Sequence, residues 1–463
     1  MQNRGIADLR NKITSLEPVR AVGRVAEVEG ALIWVRGIAG DARIGDRLSL
    51  FRRDNVPLGG EALMIRNAMV AMLPEGNVEG VTLEDRVAVL GRNTLAPSDE
   101  WIGRVIDPFG KALDGLPLSA GSGRRELRCD PPDPASRRPL GKRLETGHVV
   151  FNTFLPIARG QRLGLFAGSG VGKSSLLASL ARQIDADVVV VSLVGERGRE
   201  LREFVDTTLG EDGMKRSVVV AATSDRSPLV RRRCPLAAMA VAEHFRDQGA
   251  HVLLLVDSIT RFAEAHREVA IAAGELPALR GYPPSTAHQI MSLCERAGPG
   301  SAAAGDITAI FSVLVAGSDM EEPVADILRG VLDGHVVMDR KIAERGRYPA
   351  IDLLRSVSRS LPGCASEDEN QLLLAARKLM GTYSESEMMV RAGLYKDGTD
   401  PALDQAIRAW PELDGFLSLS EPGSSRDSFS RLHLILRKSG VQIVPVATNA
   451  VTAAPHVPGQ VSG

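Results

Sequence analysis

The chain has 463 residues, enough for about two to four domains that each bury a core. Hydrophobic residues make up 44% and charged residues 24%, which is typical of an ordinary soluble globular protein. The 56 basic and 57 acidic side chains nearly balance, and aromatic residues amount to only 4%. This composition argues against a protein that works on nucleic acid or on anionic lipid.

The cysteines and the apolar runs predict the compartment. Cys129, Cys234, Cys294 and Cys364 lie far apart without a C-x-x-C pair, and the eight histidines show no ligand spacing. This argues against disulfides and structural zinc and favours a reducing compartment. No apolar core of a signal peptide and no 18-residue apolar run is present. We therefore expect a cytoplasmic protein that does not span a membrane.

The N-terminal part predicts two different structures. Ile6, Leu9, Ile13 and Leu16 recur at helical spacing, so residues 1–18 are predicted to form a short amphipathic helix that docks on a partner. Residues 19–95 contain short strand-like runs separated by Gly, Asp and Asn, among them "RVAEVEGALIWVRGI", "RLSLF" and "RVAVLG". This pattern predicts a small β-barrel.

The middle of the chain, residues 96–365, predicts a parallel sheet. A proline-rich linker, "CDPPDPASRRPLG", leads into apolar runs that alternate with helical patterns. Continuous apolar strands with helices between them indicate a sheet covered on both faces. The predicted strands are "LGLFAG", "DVVVVSLVG", "SVVVAATS", "HVLLLVDS" and "ITAIFSVLVAG".

The C-terminal part predicts helices. Residues 366–445 lose the strand pattern, and residues 446–463 have no periodicity and are predicted to be a disordered tail. The fold class expected is therefore a multidomain α/β chain with a barrel, a P-loop parallel sheet and a helical domain. Two basic runs, Arg231–Arg233 and the set Arg137, Arg138, Lys142 and Arg143, are interpreted as a solvated face or a subunit contact.

The stretch "LFAGSGVGKSS" follows the phosphate-binding pattern G-x-x-x-x-G-K-[ST], except that Ala167 replaces the first glycine. It lies between a predicted strand and a predicted helix, so backbone N–H groups and the helix N-terminus can wrap a phosphate. A methyl group at Ala167 is tolerable if its φ stays negative, because the later glycines can take the special dihedrals. Lys173 would reach the β- and γ-phosphates, and the Ser174 hydroxyl would bind Mg²⁺. The predicted ATP-binding residues are Gly168, Ser169, Gly170, Val171, Gly172, Lys173, Ser174 and Ser175.

Two carboxylates follow predicted strands. Asp257 ends "HVLLLVDS" at the edge where ligands of parallel sheets bind, which suits a water-mediated Mg²⁺ contact. Its alternative is the N-cap of the next helix, and the phosphate loop favours the metal role. Glu196 in "LVGERGRE" could orient the attacking water, or could be a favourable acid at a helix start. Position alone leaves both readings of Glu196 open.

A series of motifs resembles the catalytic subunits of rotary ATP synthases and their relatives. The resemblance covers roughly residues 20–440, and within that superfamily the chain is most similar to the flagellum-specific and type III secretion export ATPases, in which Ala at 167 and Ser at 174 are usual. The resemblance implies a RecA-like P-loop domain. Beside the phosphate loop, the motifs are "GERGRE", "DSITRFAEAHREVA", "RGYPPS", "EEPVADILRGVLDGHVV", "RYPAIDLL" and "SVSR".

The resemblance also implies roles for single residues. Glu196 resembles the catalytic glutamate, while Arg197 and Arg261 resemble arginines that contact the γ-phosphate. Tyr348 resembles the aromatic residue that packs on adenine, although a Tyr beside Pro is more often plain core. Arg359 resembles the arginine finger supplied across a subunit interface, although an Arg in a Ser-rich turn is usually just surface.

For the second adenine wall the pattern does not match cleanly, and Phe416 is only a weak candidate. The proposed site residues Lys173, Glu196, Asp257 and Arg359 share one chain, so identical subunits could form every active site. This predicts a closed homo-oligomeric ring with six subunits.

The resemblance thus implies a Mg²⁺-dependent ATPase that couples ATP hydrolysis to substrate and chaperone release, unfolding and export through the flagellar type III apparatus. Its implied partners are a regulatory or stalk protein at the N-terminal helix, the export gate, and export chaperones with their substrates. Its implied location is the cytoplasmic face of the inner membrane, peripherally, without nucleic acid.

Four other functions are considered. They are a non-flagellar type III secretion ATPase, an ATP synthase catalytic subunit, a Rho-like RNA translocase and a non-catalytic ATP-binding scaffold. The loop variant and the C-terminal region disfavour the synthase, the few aromatics in residues 19–95 disfavour the translocase, and Glu196 with Arg359 disfavours the scaffold.

Overall fold

A computed structural model describes residues 19–54, 56–315, 320–421 and 423–441. The predicted N-terminal helix and the predicted C-terminal tail therefore lie outside the described residues. Within the described residues, no helix combines the length and the apolar character that a membrane span requires.

The first part of the chain forms a closed antiparallel barrel, as predicted. Its strand order is β1-β2-β5-β4-β3-β6, and β1 closes the barrel by pairing with β6. Alternate side chains such as Ile33, Leu48 and Val87 point inward and are fully buried, as strand periodicity requires. The strands are β1 Val22–Glu29, β2 Leu32–Arg36, β3 Arg47–Phe51, β4 Pro57–Arg66, β5 Met69–Pro74 and β6 Arg86–Gly91.

The central part is a nine-stranded sheet, which confirms the predicted parallel-sheet domain. Its order is β17-β16-β10-β15-β13-β11-β12-β8, and β14 pairs with β15. All pairs are parallel except those of β17 and β14. The strands of this part are β7 Thr94–Leu95 and β9 Arg125–Glu126, which pair separately, and β8 Arg104–Ile106, β10 Arg162–Ala167, β11 Val188–Glu196, β12 Ser217–Thr223, β13 His251–Asp257, β14 Gly298–Pro299, β15 Asp306–Leu314, β16 Gly334–Met338 and β17 Ile351–Ser358.

Helices pack on this sheet and explain why its strands are apolar on both faces. The strand core of Val190, Leu254 and Phe311 joins buried helix residues in one cluster. A π-helical segment spans Phe204–Leu209, and short 3₁₀ turns span Asp99–Trp101, Pro134–Ser136 and Leu279–Gly281. The helices are α1 Val149–Asn152, α2 Lys173–Gln183, α3 Gly198–Glu203, α4 Gly210–Met214, α5 Pro228–Asp247, α6 Ile259–Ala272, α7 Ser285–Arg296, α8 Pro323–Val331 and α9 Arg340–Glu344.

Three further helices follow: α10 Glu367–Arg391, α11 Pro401–Phe416 and α12 Ser425–Lys438. A capping box at Ser366 and Glu369 starts α10, and Tyr383 stacks on Trp410 with ring centroids 4.3 Å apart. These helices confirm the predicted helical character of the C-terminal part.

The described chain divides into two compact units. One continues to Cys364 and also contains Gly415–Ser428, and the other contains Ala365–Asp414 and the residues from Phe429 onward. The segment 415–428 thus differs from the expectation that 366–445 form one helical domain. The reason is tertiary packing, because Phe416 meets Phe154 edge to face and the Leu419 carbonyl accepts a hydrogen bond from Val149.

The interpretation of the basic runs as a solvated face is wrong for Arg232 and Arg233, which are buried, whereas Arg138 is exposed. Arg232 is only 5% exposed and donates to Glu61 of β4, and buried Arg233 donates to the Pro108 carbonyl. Arg137 binds the Ala297 carbonyl, and Arg138 pairs with Asp306 at 2.7 Å. A run of charged residues in the sequence does not show whether its side chains are buried. Here these guanidinium groups form hydrogen bonds to segments that are distant in sequence.

Candidate functional site

The phosphate loop is formed where β10 ends and α2 begins. Ala167 is the last residue of β10, fully buried and extended, so its methyl group is accommodated as predicted. Positive φ angles occur instead at Gly170 (+76°) and Gly172 (+87°). Gly168 does not need one. The loop therefore keeps its dihedral requirements although its first glycine is missing.

Lys173 and Asp257 meet at the carboxyl edge of the sheet. The Lys173 ammonium forms a short salt bridge with the carboxylate of Asp257, and the Ser312 hydroxyl donates to the same carboxylate oxygen at 2.6 Å. Asp257 ends β13, whereas Ser258 caps α6 by accepting from the Arg261 N–H. The N-cap alternative for Asp257 is therefore wrong, and its carboxylate faces the loop lysine.

Glu196 ends β11, the neighbour of β13, beside this pair. Burial raises the pKa of Glu196 to about 7, and the negative charge of Asp257 and a hydrogen bond with Glu200 add to the effect. Helix α3 begins only at Gly198, and the Glu196 side chain lines the cavity. This position fits a group that accepts a proton or orients water better than it fits a helix-start acid.

The two predicted phosphate arginines differ in how firmly they are held. Arg197 is 81% exposed and pairs with Glu200 at 3.4 Å. Arg261 lies in the first turn of α6 and donates from Nη1 to Glu264 at 2.9 Å. Only Arg261 lines the cavity.

The predicted adenine residues also separate. The Tyr348 ring lies so close to Gly172 that a Cβ there would be 3.3 Å from it, and the side chain is 51% exposed. It is therefore not plain core, and its adenine role stays a prediction. Phe416 is 1% exposed and packs on Phe154 inside its unit. Phe416 is wrong as an adenine wall, because no face of its ring is accessible.

Arg359 and the phosphate loop lie at opposite ends of the strands of the sheet. β17 starts beside the carboxyl end of β16 and ends at its amino end, where Ser358 pairs with Gly334. The Arg359 N–H donates to the Asp333 carbonyl at 3.0 Å, and Asp333 in turn bonds the start of β10. The strand rise of about 3.3 Å per residue puts the two ends of β10 about 16 Å apart. The exposed Arg359 side chain therefore does not reach the loop of its own chain.

The loop, Glu196 and Arg261 surround an open cavity of about 980 Å³, which is large enough for a nucleotide. The exposed hydroxyl of Ser174 and the carboxylate of Asp257 are oxygen donors of the kind that Mg²⁺ prefers. Among the described residues, no group of three His, Cys, Asp or Glu side chains could hold a metal ion alone. This donor set fits a Mg²⁺ ion whose other ligands are oxygen atoms of the substrate phosphates and of water.

Sequence reasoning missed Ser312, Glu200 and Glu264. Glu200 and Glu264 stand three residues after Arg197 and Arg261, the spacing of an intrahelical ion pair, so this signal was available. Ser312 gave no signal, since it is one hydroxyl inside an apolar strand.

Comparisons with known proteins identify the family of the chain. The family model "ATP synthase alpha/beta family, nucleotide-binding domain" matches residues 147–358, and "T3SS EscN ATPase C-terminal domain" matches residues 365–433. The "Flagellum-specific ATP synthase" of Caulobacter vibrioides is 46% identical over 434 residues, covering 92% of this chain and 98% of the relative.

Solved structures give the same result. The assembled ATPase EscN of the enteropathogenic E. coli type III secretion system superposes with a TM-score of 0.83 and 34% identity, covering 89% of this chain and 100% of that chain. EscN in complex with its central stalk EscO gives a TM-score of 0.81 with the same identity and coverage. The predicted fold class and the predicted resemblance are confirmed.

Proposed function

The chain belongs to the ATP synthase alpha/beta family, among its flagellum-specific members, and from this premise we propose that it energises flagellar type III protein export. It is an ATP-hydrolysing enzyme. The observation that carries the proposal is the junction of the phosphate loop with Lys173, Asp257 and Glu196 at one sheet edge. A non-flagellar secretion ATPase is not favoured, because flagellum-specific relatives are 44% and 46% identical to this chain, whereas EscN is 34% identical.

The proposed reaction is hydrolysis of the γ-phosphate of ATP. The backbone of Gly168–Gly172 and the N-terminus of α2 bind the phosphates, and Lys173 neutralises the β- and γ-oxygens. Lys173 must exchange its bond to Asp257 for the phosphate, which frees the carboxylate. Mg²⁺, held through Ser174 and Asp257, would neutralise charge on the phosphate oxygens. Glu196 orients the attacking water and accepts its proton.

The remaining roles follow from where the side chains lie. Arg261 contacts the γ-phosphate from the cavity wall, and exposed Arg197 turns toward it on binding. Tyr348 offers a ring to the adenine beside Gly172. Arg359 acts on the neighbouring protomer's nucleotide, because its own loop is out of reach. We therefore propose a homo-oligomeric ring of six protomers.

The partners are proposed from the relatives. EscN is described as assembled and as bound to a central stalk, so a stalk or regulatory protein is expected to act on this ring as well. In the proposed assembly, the stalk or regulatory protein binds residues 1–18. The other proposed partners are export chaperones with their substrates and the export gate. It would work at the cytoplasmic face of the inner membrane.

The direct experiment measures ATP hydrolysis by the purified protein and by Lys173→Ala, with Mg²⁺ or with excess chelator. Hydrolysis should require both Lys173 and Mg²⁺, and added RNA should not stimulate it. In cells that lack the gene, the wild-type chain should restore secretion of flagellar proteins and Lys173→Ala should not. Stimulation by RNA, or hydrolysis that survives Lys173→Ala, would contradict the proposal.

Deleting residues 1–17 tests the proposed docking helix. Because Ile6, Leu9, Ile13 and Leu16 recur at helical spacing in the sequence, the deletion is expected to remove partner binding and leave nucleotide binding intact. The measurement is motility and secretion in cells together with nucleotide affinity in vitro. Normal motility of the truncated strain would rule out docking through this segment.

A further inference from the structure

We propose that Glu264 is a positioning residue that holds the Arg261 guanidinium ready for the γ-phosphate of ATP. The proposal rests on the proposed function of the same site. Glu264 lines the cavity together with Arg261, and its carboxylate accepts a hydrogen bond from Arg261 Nη1 at 2.9 Å.

The backbone of Arg261 is fixed by contacts at the start of α6. Its N–H donates to the Ser258 hydroxyl at 3.3 Å. The neighbouring Thr260 hydroxyl accepts from the Leu314 N–H at 2.9 Å, which ties the helix start to the end of β15. The Cα of Arg261 is therefore held relative to the phosphate loop, because β15 pairs with the whole length of β10, the strand that leads into the loop.

The side chain of Arg261 is held along its length as well. Its stem passes Gly195, where a Cβ would lie 3.5 Å from Arg261 Cγ, so the stem runs beside the residue that precedes Glu196. Glu264 then engages only Nη1 of the guanidinium. The Nε and Nη2 groups make no other hydrogen bond within the described part of the chain, and together they can bind a phosphate in a bidentate manner.

Burial distinguishes this pair from a common surface ion pair. The side chains of Arg261 and Glu264 are 44% and 28% exposed, whereas Arg197 and Glu200 are further apart and more exposed. Solvent weakens exposed pairs most, so Glu264 restrains its arginine better than Glu200 does. An arginine that is already ordered loses less conformational entropy when the phosphate binds.

Simple repulsion between Glu264 and the nucleotide can be distinguished from the proposed positioning role by the sign of the change in nucleotide affinity. A carboxylate in a phosphate-binding cavity that merely repelled the nucleotide would weaken ADP and ATP alike, so its removal would tighten both. A carboxylate that acts through Arg261 affects ATP, because ADP has no γ-phosphate for this arginine to contact. ADP and a non-hydrolysable ATP analogue are therefore the informative pair of probes.

The experiment compares wild type, Glu264→Gln, Arg261→Ala and the double variant. Glu264→Gln should weaken the ATP analogue about 3- to 10-fold, the range for losing one pre-ordered side chain, and leave ADP unchanged. In the Arg261→Ala background the same change should cause no further loss. Glu268→Gln is the matched control, since it removes the same charge one turn later on α6, where Glu268 pairs with Arg231.

Additive losses in the double variant, or an equal change for ADP and the ATP analogue, would overturn the inference. These outcomes are distinct from a failure of the proposed function, which would appear as a wild-type protein without Mg²⁺-dependent hydrolysis. Thermal unfolding of all variants accompanies the binding data. A merely structural role of Glu264 would lower the melting temperature and weaken both nucleotides together.

Discussion

At the scale of single residues, the environment of Glu196 sets its chemistry. Burial raises its pKa to about 7, with help from Asp257 and Glu200. We predict that Glu196→Gln binds ATP like wild type, because the amide keeps the shape, while turnover falls by about 10²-fold or more. The measurements are affinity for a fluorescent ATP analogue and phosphate release. Wild-type turnover in Glu196→Gln would remove this residue from the mechanism.

The pH profile is the control for that variant. Only the ionised carboxylate of Glu196 can accept a proton. The kcat/KM of the wild type should therefore rise with pH and level off above about 7, the pKa of Glu196 in the enzyme without substrate. The raised pKa means that the stability contribution of Glu196 is full below its usual pKa and is lost as pH rises through about 7. Glu196→Gln should therefore raise the melting temperature more at pH 8 than at pH 5.

The loop glycines give a second residue-scale prediction. Gly172 has φ of +87°, and a Cβ there would also press on the Tyr348 ring. Gly172→Ala should therefore weaken ATP binding at least about 10-fold, since an L-residue is strained in this region. Ala167→Gly is the matched control, because Ala167 ends a strand and needs no positive φ. A loop that gained affinity from Ala167→Gly would show that the missing glycine matters after all.

At the scale of elements, β4 of the barrel is joined to α5 of the sheet domain by a buried ion pair. Glu61 Oε1 accepts from Arg232 at 2.8 Å and from Arg128 at 3.2 Å, and both Glu61 and Arg232 are buried. Breaking a buried pair leaves an uncompensated charge, which typically costs about 3–5 kcal/mol. Glu61→Ala should therefore lower the free energy of unfolding by about that amount, measured by denaturant titration.

The control for Glu61→Ala is a more exposed ion pair of a neighbouring arginine in the same run. Arg231 pairs with Glu268, whose side chain is about half exposed, so Glu268→Ala should cost about 1 kcal/mol or less. If both variants lost equal stability, the buried pair would have no special role in holding the barrel to the sheet.

At the scale of the whole molecule, each chain carries a phosphate loop at one sheet edge and Arg359 at the other. With the proposed role of Arg359, complete sites would form only between protomers. Lys173→Ala and Arg359→Ala should each be nearly inactive, since an arginine finger is typically worth about 10³–10⁵ in rate. A mixture of the two should regain activity, because an intact loop of one variant meets the intact finger of the other.

Mixed rings must be verified by cross-linking before the rates are compared. Activity of the wild type should also rise steeply with protein concentration, because sites are completed on association. No recovery in verified mixed rings would leave Arg359 a structural residue. It would not affect the proposed roles of Lys173 and Glu196, which lie at one site within the same chain.

Local patterns in the sequence determined much of this protein. The strand runs, the phosphate loop and the carboxylates that end β11 and β13 depend on neighbours in sequence, because periodicity and loop dihedrals are local properties. Together with the motif series, they were enough for the fold class and the family. They also placed Glu196 and Asp257 at the same sheet edge.

Only the tertiary structure decided which charged and aromatic side chains are buried. Arg232 meets Glu61 from 171 residues away, and Ser312 meets Asp257 from 55 residues away. Phe416 is buried against Phe154, although its sequence context allowed an exposed ring. Such outcomes depend on desolvation by distant segments, and a local pattern carries no information about it. Similarly, only the strand directions revealed that Arg359 lies at the end of the strands opposite its own phosphate loop.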